Sequence, residues 1–263
     1  MSHSNNMNNP VRQSFNRAAT SYSATAKLQQ RVADRLLEQI GHLLPDAFNG
    51  RLLDAGCGTG YCLQHLQALF PGSTIIGLDF AEHMLRQLPL DTQPRCINAD
   101  IEQLPLADNS IDGYLSSLAW QWCNPLPAAR ESQRTLRPGG QLLLATLSTG
   151  TFRELADCLQ QLGLPPHQHL LSFASPETLT QAFEAADLHI ETIQRTTLTT
   201  WHADFRSLRH SIRGVGANHL PTRNAPPLNR AQRSALINAY ETLRKPQGLP
   251  LSYDVLTLHA RKY

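Results

Sequence analysis

The sequence predicts an α/β fold: a mostly parallel, seven-stranded sheet with helices on both faces and a helical insertion late in the chain. Three observations predict it. Short apolar runs alternate with helical patterns between residues 50 and 147, a spacing that builds βαβ units and parallel strands. Three of those runs end at acids, Asp54, Asp79 and Asp100, and open α/β sheets bind ligands outside the carboxyl ends of their strands. Two further alternating runs, "HIETIQRTTLTTW" and "LSYDVLTLHARKY", are separated by about fifty residues holding two helical patterns, which places an insertion between the last two strands.

The elements follow in order. In "KLQQRVADRLLEQI", Leu28, Val32, Leu36, Leu37 and Ile40 recur at helical spacing and Gly41 is a stop. "RLLDAG" reads as a buried strand and "YCLQHLQALF" as a helix closed by Pro71 and Gly72. "STIIGLDF" is the second strand, "AEHMLRQL" a helix, "PRCINAD" the third strand and "IDGYLSSLAW" the fourth. A helix around "PAARESQRTL" leads through an "RPGG" turn to the strand "QLLLATLS". "SPETLTQAFEAADL" is a helix with a serine cap and proline behind it. In the insertion, "ADFRSLRHSIRGV" and "NRAQRSALINAYETLRK" are helical.

Composition limits the function classes. The chain of 263 residues is 41% hydrophobic, enough for one α/β domain with an insertion. The start, "MSHSNNMNNP", lacks the apolar core of a secretory signal. The longest apolar stretches, such as "LLLA", fall far short of the roughly 18 residues of a membrane helix. The five cysteines form no CxxC pair, so a reducing cytoplasm is expected. His167 and His169 have no third ligand nearby in sequence, and no metal site is expected. The net charge of +2 is uneven: residues from 201 onward hold ten Lys/Arg against three Asp/Glu, the first 200 hold thirteen against eighteen. A basic last quarter suits either an anionic partner or a plain solvated surface.

The turn in "LLDAGCGTGYCLQHL" carries the cofactor argument. A phosphate-binding loop needs a lysine after the glycines, and none follows. The dinucleotide pattern G-x-G-x-x-G fails in both registers, because Tyr61 and Leu63 occupy the third glycine position. S-adenosylmethionine has no phosphate but carries an ammonium and a sulfonium. Asp54 suits such a cation, and Gly56, Gly58 and Gly60 let the backbone approach it. Asp79 is placed to accept the ribose hydroxyls. Asp100 and Ile101 offer an acid and an apolar face to the adenine.

"LLDAGCGTG", "GLDF", "NADIEQLPLADNSIDGYLSSLAWQW" and "LRPGGQLLL" resemble the successive motifs of the Rossmann-like class I methyltransferases over residues 50–147. The resemblance places Phe80, Met84 and Leu118 beside the cofactor as well. It does not identify the acceptor. Amino-group methylases resemble one another in an N/D-P-P-Y motif after the fourth strand, and "LAWQWCNP" has none.

The whole chain is similar to the malonyl-acyl-carrier-protein O-methyltransferases of biotin synthesis. The stretches concerned are "SFNRAATSYSATAKLQ" (14–29), "AWQWC" (119–123), "SLRHSIRGVGANHL" (207–220), "LNRAQRSALINAYE" (228–241) and "LPLSYDVLTLHA" (249–260). The similarity implies methylation of the free carboxyl of a malonyl thioester. It also implies a single domain over 1–263, with an N-terminal helical segment at about 10–45, a cofactor core at about 50–147 and a helical lid at about 202–247. Tyr22 is expected to roof the methyl group, and one of Trp120 and Trp122, with Trp120 the choice, to line the acceptor pocket. Cys57 and Cys123 are read as small packing residues. Arg153, Arg206, Arg209 and Arg213 are candidates to hold the acceptor carboxylate. An acidic carrier would meet Arg206, Arg209, Arg213, Arg223, Arg230 and Arg233. Three alternatives stay open: methylation of another small carboxylate or a quinone-type carbon, a silent cofactor-binding protein, and nucleic-acid binding by the basic tail. The last is disfavoured by the scarcity of aromatics there.

Overall fold

The computed structural model describes residues 10–25, 27–88, 95–214 and 227–263. Two helices, α1 (Pro10–Thr25) and α2 (Lys27–Leu43), precede an alternating core. The core runs β1 (Arg51–Ala55), α3 (Tyr61–Leu69), β2 (Thr74–Asp79), α4 (Glu82–Leu85), β3 (Arg95–Asn98), β4 (Ile111–Ser117), α5 (Pro125–Thr135) and β5 (Leu136–Leu147). After it come α6 (Arg153–Gln161), α7 (Pro166–His169), α8 (Pro176–Glu184), β6 (His189–His202), α9 (Phe205–Gly214), α10 (Arg230–Glu241) and β7 (Leu249–Arg261).

The strands form one sheet in the order β3-β2-β1-β4-β5-β7-β6. The first five are parallel, and β7 runs antiparallel to both neighbours. The expected Rossmann-like, mostly parallel seven-stranded sheet is therefore present, with the order reversing beside β1. At such a switch point the loops diverge and leave a crevice.

Alternation along the strands divides the core. Leu52, Leu115, Leu143 and Val255 face α2, α3 and α6, packing on Leu36, Leu66 and Leu159. Leu53, Tyr114, Leu144 and Leu256 face α5 and α8, packing on Ala129 and Phe183. Asp54 and Ser117 continue the first of these faces at the carboxyl ends of β1 and β4.

Differences from the sequence reading have local causes. The "RPGG" stretch lies inside β5. Leu136 pairs with Ile111 before the register shifts to Gln141 opposite Gly113, so Arg137–Gly140 bulge out of the ladder, with Gly139 at φ +82°. Helix α4 is a single turn, because Arg86 closes on Glu82 but Gln87 and Leu88 close only three residues back, just before Pro89. Helices α6 and α7 were not anticipated, although Leu155, Cys158 and Leu159 have helical spacing and are buried. The serine cap stands: Ser175 Oγ accepts the Thr178 N–H at 3.2 Å, with Pro176 opening α8. Helices α9 and α10 lie between β6 and β7.

Candidate cofactor site

The site begins with the turn after β1. Gly56, Gly58 and Gly60 all have positive φ, +83°, +54° and +86°, a region costly for residues with a Cβ. The three are not equivalent. A Cβ on Gly56 would collide with the Ala119 Cβ and one on Gly60 with Leu88, whereas at Gly58 it would meet nothing within 4 Å. Gly56 and Gly60 are needed for packing; Gly58 faces open space. The loop is tied to β2, since Gly56 and Cys57 donate their N–H groups to Leu78 O at 2.7 and 2.9 Å. Asp79 holds it from the side, accepting the Gly58 N–H at 2.9 Å and the Ala81 N–H at 2.8 Å.

These bonds leave a cleft of about 250 Å³ lined by Asp54, Gly56, Gly58, Thr59 and Ser117, with Gln29 and Gln30 of α2 on another wall. Among the described residues no lysine or arginine lines it. Asp54 is 1% exposed and Asp79 6%. Burial, and after it the charge of Asp79, push the Asp54 carboxyl up to about 8. Burial likewise raises Asp79 to about 6, against the two N–H groups that favour its ionised form. Asp54 Oδ2 and Ser117 Oγ are buried without a hydrogen-bond partner. Two buried acids without a counter-cation call for a cationic ligand and repel a phosphate. The orphaned carboxylate oxygen and the open space at Gly58 fit the ammonium and sulfonium of S-adenosylmethionine.

Helix α1 closes the neighbouring corner. Arg12 donates to Asn98 Oδ1 at 3.2 Å and Asn16 Oδ1 accepts the His83 N–H at 3.0 Å. Phe15 meets Phe80 and Trp122 edge-on, at 5.9 and 5.8 Å between ring centroids. Met84, 1% exposed, is buried with Ala19 and Ala81. Phe80 and Met84 thus join α1 to the end of β2. Ile101 is buried near Gly56. Asp100 turns its carboxylate onto the Glu102 N–H at 3.0 Å. Leu118 adopts φ +53° and donates its N–H to Ala145 O.

The profile of the methyltransferase domain family matches residues 53–144. The chain is 42% identical to the malonyl-[acyl-carrier protein] O-methyltransferase of Dechloromonas aromatica, covering 96% of this chain and 94% of that one. The chain belongs to the malonyl-[acyl-carrier protein] O-methyltransferase family. A second member, from Herminiimonas arsenicoxydans, is 38% identical over 95% of this chain and 94% of its own. The fold likeness reaches further: the crystal structure of the YcgJ protein from Bacillus subtilis superimposes with a TM-score of 0.61 at 18% identity, covering 87% of this chain and 98% of that one.

Within this malonyl-[acyl-carrier protein] O-methyltransferase family member, S-adenosylmethionine is the cofactor. Trp120, expected at the acceptor pocket, is 2% exposed and packs on the face of the sheet opposite the cleft. Its Nε1 donates to the Tyr114 hydroxyl at 3.2 Å and its ring lies 5.5 Å from that of Phe183. Trp122, two residues on in the 3-10 turn Trp120–Trp122, meets Phe15 of α1 instead. Arg153 opens α6, is 57% exposed and stands 3.6 Å from Glu154. Arg206 and Arg209 flank an open hollow on α9 with Asp204 and His210; Arg230 and Arg233 are exposed on α10. Arg223 lies outside the described residues, as do the side chains of Tyr22 and Arg213. Sequence reasoning missed Ser117 and the α2 glutamines, since serine at a strand end and glutamine on a helix are unremarkable until folding gathers them. Among the described residues no helix is long and apolar enough to cross a membrane.

Proposed function

We propose that this protein transfers a methyl group from S-adenosylmethionine to the free carboxylate of a malonyl thioester on acyl carrier protein, giving the methyl ester that starts pimeloyl synthesis for biotin. Identity over nearly the full length of both chains, lid included, supports this acceptor. The cation-seeking cleft supports the donor.

When bound, S-adenosylmethionine supplies an electrophilic methyl group on a sulfonium. The chain's own part is to bind, orient and exclude water. Asp54 is assigned to the cationic end of the cofactor and Asp79 to its ribose hydroxyls; Asp100 and Ile101 are assigned to its base. A malonyl carboxylate, with a pKa around 4, is ionised near pH 7, so no general base is required. In-line placement at about 3–3.5 Å then governs the rate. Arg153, Arg209 and Arg213 are assigned to the acceptor carboxylate, which an arginine grips by paired hydrogen bonds, and Tyr22 to the roof over the methyl group.

The chain is read as one domain, with residues about 202–247 as a lid over the core and the reaction placed in the cytoplasm. Arg206 and Arg209 on α9 and Arg230 and Arg233 on α10 are exposed, and together with Arg213 and Arg223 are assigned to attract an acidic carrier. The decisive assay uses labelled cofactor with malonyl carrier protein, malonyl coenzyme A, acetyl carrier protein and free malonate. Base-labile label on the malonyl thioesters alone is expected; label on acetyl carrier protein, or none on any, overturns the reading. With the carrier substrate, kcat/KM should fall steeply with salt, and Arg206→Glu with Arg209→Glu should lower it about tenfold or more.

A further inference from the structure

Helix α9 has two unlike faces. One is docked: Leu208 is fully buried, and Ser211 Oγ stands 3.0 Å from the hydroxyl of Tyr253 on β7. The other is open. Arg206, Arg209 and His210, spaced to share one side of a helix, line a hollow of about 540 Å³ with Asp204 and Ser207. Asp204 is engaged at the start of the helix: its carboxylate accepts the Ser207 N–H at 2.7 Å, and Ser207 Oγ donates back to its carbonyl at 2.8 Å. Two guanidinium groups thus outweigh one capped carboxylate around the hollow, and the imidazole adds a further donor.

The topology puts this helix at the end of the sheet where the cleft opens. Leu147, the last residue of β5, lies opposite Val255, so the antiparallel β7 begins beyond the carboxyl end of β5. Strand β6 finishes there too, with His202 opposite Leu249. Helix α9 follows directly and also meets α1, the helix that closes the corner of the cofactor site. We propose that Arg206, Arg209 and His210 bind the phosphate of the pantetheine arm that carries the malonyl thioester. This rests on the thioester reading above and goes beyond it by giving the arm a contact of its own, apart from the acidic face of the carrier. It moves Arg209 from the acceptor carboxylate to that phosphate.

The chemistry of the hollow suits that group. A phosphodiester spreads its negative charge over free oxygens that only accept. Guanidinium donors match them with paired bonds, and an imidazole N–H supplies another. The openness of the hollow fits as well. The phosphate stays at the surface, where the arm enters, while the thioester end travels inwards, and charges paired at the surface escape the desolvation that a buried pair would suffer. The acceptor carboxylate needs the reverse, a place beside the methyl group from which water is kept out. The cleft around Asp54 repels a phosphate, so the arm and the cofactor cannot exchange sites.

The test uses the full-length protein, labelled S-adenosylmethionine and two small acceptors that differ in one group, S-malonyl-pantetheine and S-malonyl-4′-phosphopantetheine. Neither contains the carrier, so its acidic face plays no part. With the unsubstituted protein, kcat/KM should be about tenfold or more higher for the phosphorylated acceptor, chiefly through KM. In Arg206→Gln with His210→Gln, and separately in Arg209→Gln, that ratio should fall towards one. Arg209→Lys should restore part of it, since it keeps the charge without the paired bonds. Both acceptors are measured on each variant, so any loss of folded protein cancels from the ratio. A ratio near one in the unsubstituted protein overturns the inference. So does a ratio that survives the substitutions; both acceptors weakened equally by Arg209→Gln would return Arg209 to the acceptor carboxylate. Methylation of neither acceptor, nor of malonyl carrier protein, would instead overturn the thioester reading.

Discussion

Asp79 accepts the N–H of Gly58 at 2.9 Å from the end of the neighbouring strand, while the carboxylate of Asp54, one strand over, keeps an oxygen without a partner. One acid shapes the loop, and the other is the one proposed to meet the ligand. Removing each should therefore fail differently.

Asp79→Ala frees the Gly58 and Ala81 N–H groups and should cost about 1–3 kcal/mol of stability, together with most of the cofactor affinity. Asp79→Asn keeps one acceptor oxygen for those N–H groups and should recover part of the stability. Urea unfolding and calorimetry on both variants check this; equal stability of the alanine variant and the wild type would refute the bracing role.

Asp54 makes the unliganded protein sensitive to pH in a defined direction. Its folded pKa of about 8 lies above the ordinary carboxylate value of 3.8, so between those limits the folded state binds the extra proton. Stability from this group must then fall as pH rises from about 4 to 8, by at most about 1.4 kcal/mol per unit. Asp79 adds the same sign up to about 6. Melting temperatures between pH 5 and 8 should drop faster for the wild type than for Asp54→Asn, and saturating S-adenosylhomocysteine should flatten the wild-type curve. Parallel curves for the two proteins would contradict the assignment.

Binding of the cation should also expel the proton from Asp54. Near pH 7 the heat of S-adenosylmethionine binding should depend on the ionisation enthalpy of the buffer, and that dependence should vanish in Asp54→Asn. Buffer-independent heats in the wild type would show that Asp54 is already ionised.

The glycines should rank by what surrounds them. Gly58→Ala places a methyl in open space; it should cost only about 1–2 kcal/mol for the left-handed backbone yet weaken the cofactor roughly tenfold or more by filling the cleft. Gly56→Ala collides with Ala119 and should lose stability outright. Expression, melting and calorimetry on the pair test the ranking, and a Gly58→Ala variant that binds normally would place the ligand elsewhere.

Trp120→Ala should cost about 3–5 kcal/mol as a core truncation. Trp120→Phe should lower the melting temperature while leaving KM for the acceptor near the wild-type value. A raised KM with unchanged melting would return Trp120 to the acceptor pocket.

Local patterns in the chain were sufficient for the alternating core, the acid at the end of each early strand and the three-glycine turn, because each is imposed by neighbours close in sequence: a strand's period, a turn's φ, a cap. They were sufficient for the type of cofactor too, since charge and glycine spacing already excluded phosphate ligands. Only the tertiary structure decided which way each residue faces. A side chain in the irregular turn after β4 has no period to read, so Trp120 and Trp122 were indistinguishable until β4 sent one beneath the sheet and the other to α1. Ser117 and the α2 glutamines lie almost ninety residues apart and become a site only when β1, β4 and α2 meet around the same loop. The pKa values of Asp54 and Asp79 arose there as well, because desolvation is a property of the packed neighbourhood and not of the residue.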